Sequence, residues 1–217
     1  MKTRSHVSMP LIVAALALGA LLIQPVGAQY GSAIGVPSLP WENSRIRLTR
    51  LSIEPGAALP TAGNQVLVYL TADPEGRMPA EAVWQPAGGA AVENRGRVRL
   101  EAIAIELKDA PQRVTGDTPL EALDSSDGVT VSRLIDNSRV VVAKHRYEPI
   151  AYGGPLHLHP EDVLVVYLRG GQTWPLSGLW GAAPVRRGDV EVIPANTLHR
   201  LANASSDPLE LLVVVAK

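Results

Sequence analysis

The stretch Gly154-Pro155-Leu156-His157-Leu158-His159-Pro160-Glu161-Asp162, with the apolar run Val163 to Leu168 and Gly170 behind it, decides how the rest of the chain is read. On an extended backbone, side chains two apart point to one face, so His157 and His159 can offer both imidazoles to one ion. A second stretch follows it: Gly188-Asp189-Val190-Glu191-Val192-Ile193-Pro194-Ala195-Asn196-Thr197-Leu198-His199, with Asn203 four residues further on. One His-x-His is a weak signal, since imidazoles often only hydrogen-bond at a surface. Two such patterns in order, joined by a short turn-rich stretch, are far more specific.

The two stretches resemble the paired metal-binding motifs of the cupin superfamily, in which glycine, proline, histidine and asparagine fall at these intervals. The resemblance implies a double-stranded β-helix (jelly-roll) barrel in which His157, His159 and His199 hold one divalent transition metal. Asn196 stands where the second motif has its central glycine, and asparagine also tolerates the left-handed turn conformation. The larger departure is the carboxylate ligand. Counted back from Gly170, its slot falls on Val163, which cannot bind a cation. Asp162 is one residue early and Glu161 two. Adjacent strand residues face opposite sides, so Asp162 reaches the ion only from the turn after Pro160 or through a one-residue bulge. Val163-Leu164-Val165-Val166-Tyr167-Leu168 matches Val66-Leu67-Val68-Tyr69-Leu70 with one residue added, which favours the bulge. Asp162 is thus the expected fourth ligand, ahead of Glu161, with a solvated acidic turn as the alternative.

Working outward, residues 1–28 read as a secretory signal: Lys2 and Arg4, an apolar core from Pro10 to Ile23, and small residues at Val26-Gly27-Ala28. A core of about 14 residues is short of the roughly 20 that a membrane span requires. The expected location is the periplasm or the exterior, with no membrane association after cleavage. The chain has no cysteine, so it gains its stability without disulfides. Of 20 Lys plus Arg and 21 Asp plus Glu, removal of the leader takes two basic residues, leaving 18 against 21. A net charge near −3 gives no electrostatic reason to expect nucleic acid or anionic membrane as partners. Arg45, Arg47 and Arg50 alternate in part with Ile46, Leu48 and Leu51, as on the solvated face of a strand.

Helical periodicity is scarce after the leader. Short runs rich in Val, Leu and Ile recur between Gly, Pro and Asp punctuation, at 45–53, 65–71, 98–107, 129–134, 139–147, 163–168, 189–193 and 209–216, which predicts an all-β protein. Phenylalanine is absent, so branched aliphatics must fill the interior. The halves resemble each other. Pro86-Ala87-Gly88, Glu93-Asn94 and the run 100–108 parallel Pro194-Ala195-Asn196, Asn203 and the run 209–217; Ile53-Glu54-Pro55 parallels Tyr147-Glu148-Pro149, and Gln65 falls opposite Asp162. This duplication suggests two cupin-like barrels, a degenerate half over 40–110 and a cupin domain over 130–217, joined by a Pro-, Gly- and Asp-rich connector at 110–128. Only the second carries the ligand motifs. Where it has His157, His159 and His199, the first has Thr61-Ala62-Gly63-Asn64 and Ala91.

Three imidazoles, with or without one carboxylate, suit Fe, Mn, Ni, Cu or Zn far better than Ca or Mg. Three or four protein ligands leave coordination positions open, which is what makes catalysis possible. The resemblance therefore implies a secreted mononuclear metal enzyme, oxygenase-like, acting on a small organic molecule. The competing readings are a periplasmic small-molecule-binding barrel without turnover, and a structural or assembly barrel, with a homodimer among the possibilities. Tyr152, Tyr167, Trp174 and Trp180 are candidates to line the barrel mouth, or ordinary filling. His145, flanked by Lys144 and Arg146, reads as a surface residue, with a role beside the metal site as the alternative.

Overall fold

Runs of Val, Leu and Ile long enough to bury both faces of a strand organise the structure around two central strands, each flanked by antiparallel neighbours. The structure, a computed structural model, describes residues 39–59, 63–72, 79–109, 126–174 and 183–217. The expected leader, Trp180 and most of the expected connector lie outside the described residues. Among the described residues there is no helix long and apolar enough to cross a membrane.

The first half contributes β1 (Trp41–Glu42), β2 (Ile46–Ile53), β3 (Ala58–Leu59), β4 (Asn64–Tyr69), β5 (Ala82–Gln85), β6 (Val92–Glu93) and β7 (Leu100–Leu107). The second contributes β8 (Val129–Asp136), β9 (Val140–Tyr147), β10 (Val163–Tyr167), β11 (Gly171–Thr173), β12 (Ala183–Val185), β13 (Val190–Ile193) and β14 (Leu209–Ala216). Two five-stranded sheets result, in the orders β1-β2-β7-β4-β5 and β13-β10-β14-β9-β8, with the small sheets β3-β6 and β11-β12 beside them. Strands β2, β7, β4 and β5 have the same neighbours as β9, β14, β10 and β13, so the duplication seen in the sequence is a duplication of topology.

Register makes the correspondence residue by residue. Leu100 pairs with Ile53 and Leu209 with Tyr147, so Ile53 corresponds to Tyr147 and Leu51 to His145. Asn94 and Asn203 play one part in the two halves. Asn94 Nδ2 donates to the carbonyls of Ile53 and Val98, and its Oδ1 accepts from Gly96 N–H. Asn203 Nδ2 donates to Glu148 and Asp207, and its Oδ1 accepts from Ser205 N–H. The motif asparagine is therefore a scaffold for the turn that returns the chain into β7 or β14.

The expected bulge is overturned. Val163 to Tyr167 pair without a break with Val215 to Leu211, and Val163 to Val166 with Ile193 to Val190. Tyr167 pairs with Leu211 as Tyr69 pairs with Ala102, so Val163 corresponds to Gln65 and Asp162 to Asn64. The sequence comparison matched look-alike Val-Leu-Val runs one residue out of step; the backbone ladder, which must keep the inward set inward, fixes the other register.

The two large sheets pack back to back. Ile46, Leu48, Val66, Ile103 and Ile105 from the first half form one buried cluster with Val142, Leu164, Val166, Val190, Leu212 and Val214 from the second. The alternate residues of each sheet line that half's own interior: Ile53, Leu67, Tyr69 and Leu100 in the first, Val141, Tyr147, Val163, Val165, Tyr167, Leu211 and Val213 in the second. With both faces covered, β10 is buried at every position. Reciprocal arginines reinforce the interface. Arg45 Nη2 donates to the Lys217 carbonyl at 3.2 Å, and Arg139 Nη2 to the carbonyls of Leu107 and Lys108 at 3.3 and 3.1 Å. Arg47 does face outward, ion-paired to Glu42 and Glu106, whereas Arg50 reaches across to the carbonyl of Gly188. Gly188 has φ +81°, which favours glycine at this turn, and a Cβ there would displace the Arg50 guanidinium from its place 2.6 Å away.

Candidate metal centre

His157 and His199 face each other across two backbone hydrogen bonds: His157 N–H donates to the His199 carbonyl at 3.0 Å and His199 N–H to the His157 carbonyl at 2.8 Å. This closed antiparallel pair puts both side chains on one face. His159 follows two residues after His157 and joins them. It is anchored through its carbonyl, which accepts from Asn196 N–H at 2.6 Å. Asn196 can donate there because it adopts φ +60°, as Gly88 does at φ +72° in the matching turn of the first half. The expectation that asparagine serves in place of glycine is met.

Ring centroids lie 5.0 Å apart for His157 and His159, 4.6 Å for His157 and His199, and 5.3 Å for His159 and His199. One nitrogen from each ring falls within 4.8 Å of the others, a span that one ion can bridge. Nδ1 of His157 bonds the Pro155 carbonyl at 2.9 Å and Nδ1 of His199 the Thr197 carbonyl at 2.8 Å. A carbonyl only accepts, so both Nδ1 atoms carry the proton and both Nε2 atoms keep a lone pair. His157 Nε2 is shielded from solvent even though the residue as a whole is half-buried. Burial, followed by the neighbouring His157 and His199, lowers the His159 pKa to about 3. Burial also lowers that of His199, against the opposing pull of the Thr197 carbonyl. At neutral pH His159 and His199 are therefore uncharged, the form that ligates a metal. The residues fit a divalent transition ion.

The structure does not bring Asp162 to the three imidazoles. Its Oδ1 accepts from Ala195 N–H at 3.0 Å and its Oδ2 from Asn43 Nδ2 at 3.2 Å. Asn64, the matching residue of the first half, accepts from Ala87 N–H at 3.0 Å in the same way. The shared task is to hold the Pro-Ala-x turn, and this accounts for Asp162 without a metal. Val163 faces the barrel interior, so the carboxylate slot is filled by an apolar side chain. Glu161 is only 2% exposed, and its Oε2 is buried without a hydrogen-bond partner.

Two expectations about single residues change. His145 is not at the surface: it is fully buried, on the inward face of β9 beside Tyr147, with ring centroids 6.2 Å apart. Tyr167 is not at the mouth: it is fully buried and donates its hydroxyl to Glu191. Burial pushes the Tyr167 hydroxyl well above its ordinary pKa, helped by the Glu191 carboxylate, and burial likewise raises Glu191. Sequence reasoning missed Glu191, although its place two residues before the inward Ile193 on a four-residue strand was the available signal. Tyr152 and Trp174 are exposed and stacked, with centroids 6.2 Å apart and the Arg200 guanidinium over the Tyr152 ring. Leu156, Leu158 and Leu198 alternate with the histidines and are exposed, as residues on the opposite face must be.

Residues 143–215 match the Cupin domain family model. Solved structures share the fold. AerE from Microcystis aeruginosa aligns with a TM-score of 0.58 at 11% identity, over 81% of this chain and 94% of that one. A salicylate 1,2-dioxygenase from Pseudaminobacter salicylatoxidans aligns with a TM-score of 0.54 at 9% identity, over 79% and 71%. A cupin 2 conserved barrel domain protein from Leptotrichia buccalis aligns with a TM-score of 0.52 at 16% identity, over 81% and 86%. No curated protein sequence matches. The cupin resemblance of the two histidine motifs and the all-β expectation are both borne out.

Proposed function

We propose that this cupin protein is an exported, mononuclear metal-dependent enzyme that oxygenates a small organic molecule at the three-histidine site of its C-terminal barrel. The observation that carries the reading is the convergence of His157, His159 and His199, with two Nδ1 atoms pinned to backbone carbonyls and one nitrogen of each ring within 4.8 Å of the others. An ion of Fe, Mn, Ni, Cu or Zn held there would supply open coordination positions for a chelating substrate. The chain's own contribution is to fix the rings of His157 and His199 through backbone carbonyls and to keep His159 and His199 uncharged by burial. The likeness to a salicylate 1,2-dioxygenase is one of fold; the choice of chemistry rests on the imidazoles.

One observation favours a second reading, a small-molecule-binding barrel without turnover: Val163 occupies the carboxylate slot, and among the described residues no carboxylate oxygen joins the imidazole group. The test is elemental analysis of the purified protein. One equivalent of transition metal is expected, abolished by His157→Ala with His159→Ala. Oxygen uptake with phenolic, dicarboxylic and keto-acid substrates then separates enzyme from binder. Absence of bound metal in wild type reconstituted with each candidate ion would refute the metal-enzyme reading and leave the binding barrel.

A further inference from the structure

We propose that Glu161 serves the metal site through His159, accepting a hydrogen bond from that ring's Nδ1–H when an ion is bound, and not as a fourth ligand. The inference rests on the metal-site reading above. Its starting point is an asymmetry among the three rings. His157 and His199 each place Nδ1 on the carbonyl two residues earlier, Pro155 and Thr197. For His159 the equivalent carbonyl belongs to His157 and is taken by the His199 N–H at 2.8 Å. His159 Nδ1 is buried and has no hydrogen-bond partner among the described residues.

A ligating imidazole that gives Nε2 to a metal nearly always donates Nδ1–H to a carboxylate, a carbonyl or water, which fixes its tautomer and raises its basicity. The acceptor best placed for His159 is Glu161. Burial alternates along the segment: His159, Glu161 and Val163 are 2%, 2% and 1% exposed, whereas Pro160 is exposed and Asp162 partly so. Val163 packs inside the barrel, so Glu161 lies on the inward side, two residues from His159. Its Oε2 is also buried without a partner. A carboxylate buried in this way is costly unless a cation or donor compensates it. A donor and an acceptor, both buried and both without a partner among the described residues, are thus two residues apart in the chain beside the imidazole cluster. Direct ligation is disfavoured by geometry, because the mutual 4.8 Å span that collects the three imidazole nitrogens includes no carboxylate oxygen of the described residues, Glu161 among them. A charged N–H···O bond would satisfy both groups, and the ion's positive charge would offset the buried carboxylate.

The test compares full-length wild type, Glu161→Gln, Glu161→Ala and Asp162→Asn by competitive chelator titration with Zn(II), alongside urea unfolding of the metal-free proteins. Glu161→Ala should weaken zinc about 10- to 100-fold, the range for losing such an outer partner. Glu161→Gln should recover part of the loss, since its amide oxygen still accepts, and should unfold no more easily than wild type without metal. Asp162→Asn should bind zinc as wild type does. Wild-type affinity in Glu161→Ala would overturn this inference while leaving the metal site standing. A wild type that binds no zinc or other transition ion would remove the metal-site reading itself. Loss of affinity in Glu161→Gln matched by equal loss of metal-free stability would reduce Glu161 to a packing residue and also overturn it.

Discussion

Replacing Asp162 separates a turn-holding residue from a ligand. The carboxylate makes two hydrogen bonds, to Ala195 N–H at 3.0 Å and to Asn43 Nδ2 at 3.2 Å, and the site is half-buried. Each bond to a charged acceptor contributes about 1.5 kcal/mol or more, reduced here by partial exposure, so Asp162→Ala should cost about 2–3 kcal/mol. Asparagine should behave differently, because Asn64 already performs the Ala87 half of this task in the first repeat. The substituted amide would keep the turn but lose the second bond: Asn43 cannot flip its own amide, since its Oδ1 accepts from both Arg45 and Ile46 N–H at 2.8 Å. Asp162→Asn should therefore cost about 1–1.5 kcal/mol, the loss of that one charge-assisted bond at a partly exposed site. Urea unfolding of the metal-free proteins at pH 7 reads these values as midpoint shifts at constant m. Equal losses for the two variants would refute the argument from the repeat. A tenfold drop in metal affinity for Asp162→Asn would show that the carboxylate is a ligand after all.

Two further outcomes follow from groups inside the barrel. His159 and His199 have folded pKa values below that of a free imidazole, so the unfolded chain binds more protons as pH falls below about 6.5. Stability of the metal-free protein should therefore fall from pH 6.5 towards 3, by about 1.4 kcal/mol per pH unit for each group fully displaced, and a pH-independent unfolding midpoint over that range would contradict it. For Glu191 the sign is opposite: its folded pKa is raised by burial, so its contribution is present at low pH and lost as pH rises through the folded value. Glu191→Gln should gain stability relative to wild type at pH 8 compared with pH 4. Tyr167→Phe, which leaves Glu191 without its donor, should cost about 1–3 kcal/mol at either pH.

Much of this architecture was legible because branched aliphatics announce strands. The expected runs 45–53, 100–107 within 98–107, 139–147 and 209–216 fall on β2, β7, β9 and β14 to within a residue or two. The strands missed, such as β3, β6 and β11, are two or three residues long and carry no periodicity to detect. The three histidines were legible because their spacing is itself the chemical constraint. Asp162 was misjudged because a sequence shows acidity but not direction, and the register deciding its direction resides in backbone hydrogen bonds. His145 was misjudged for a related reason. Lys144 and Arg146 beside it suggested a solvated strand, yet alternation sends those two outward to Glu210 and leaves the histidine facing in.

The internal repeat also supplies a control that bears on function. At matching interior positions the first half has Leu51, Ile53 and Val83 where the second has His145, Tyr147 and Glu191. Polar groups in an interior are costly unless they are satisfied or used, and they occur in the half that carries the imidazoles. If the first half were merely an eroded copy of the site, removing it should matter little. Its outer sheet face, however, covers Val142, Leu164, Val166, Val190, Leu212 and Val214, an apolar surface that a lone C-terminal barrel would leave to water or to a second copy. The half without the histidine motifs thus covers, by packing against it, the sheet whose strands β10 and β13 flank the three imidazoles in the chain.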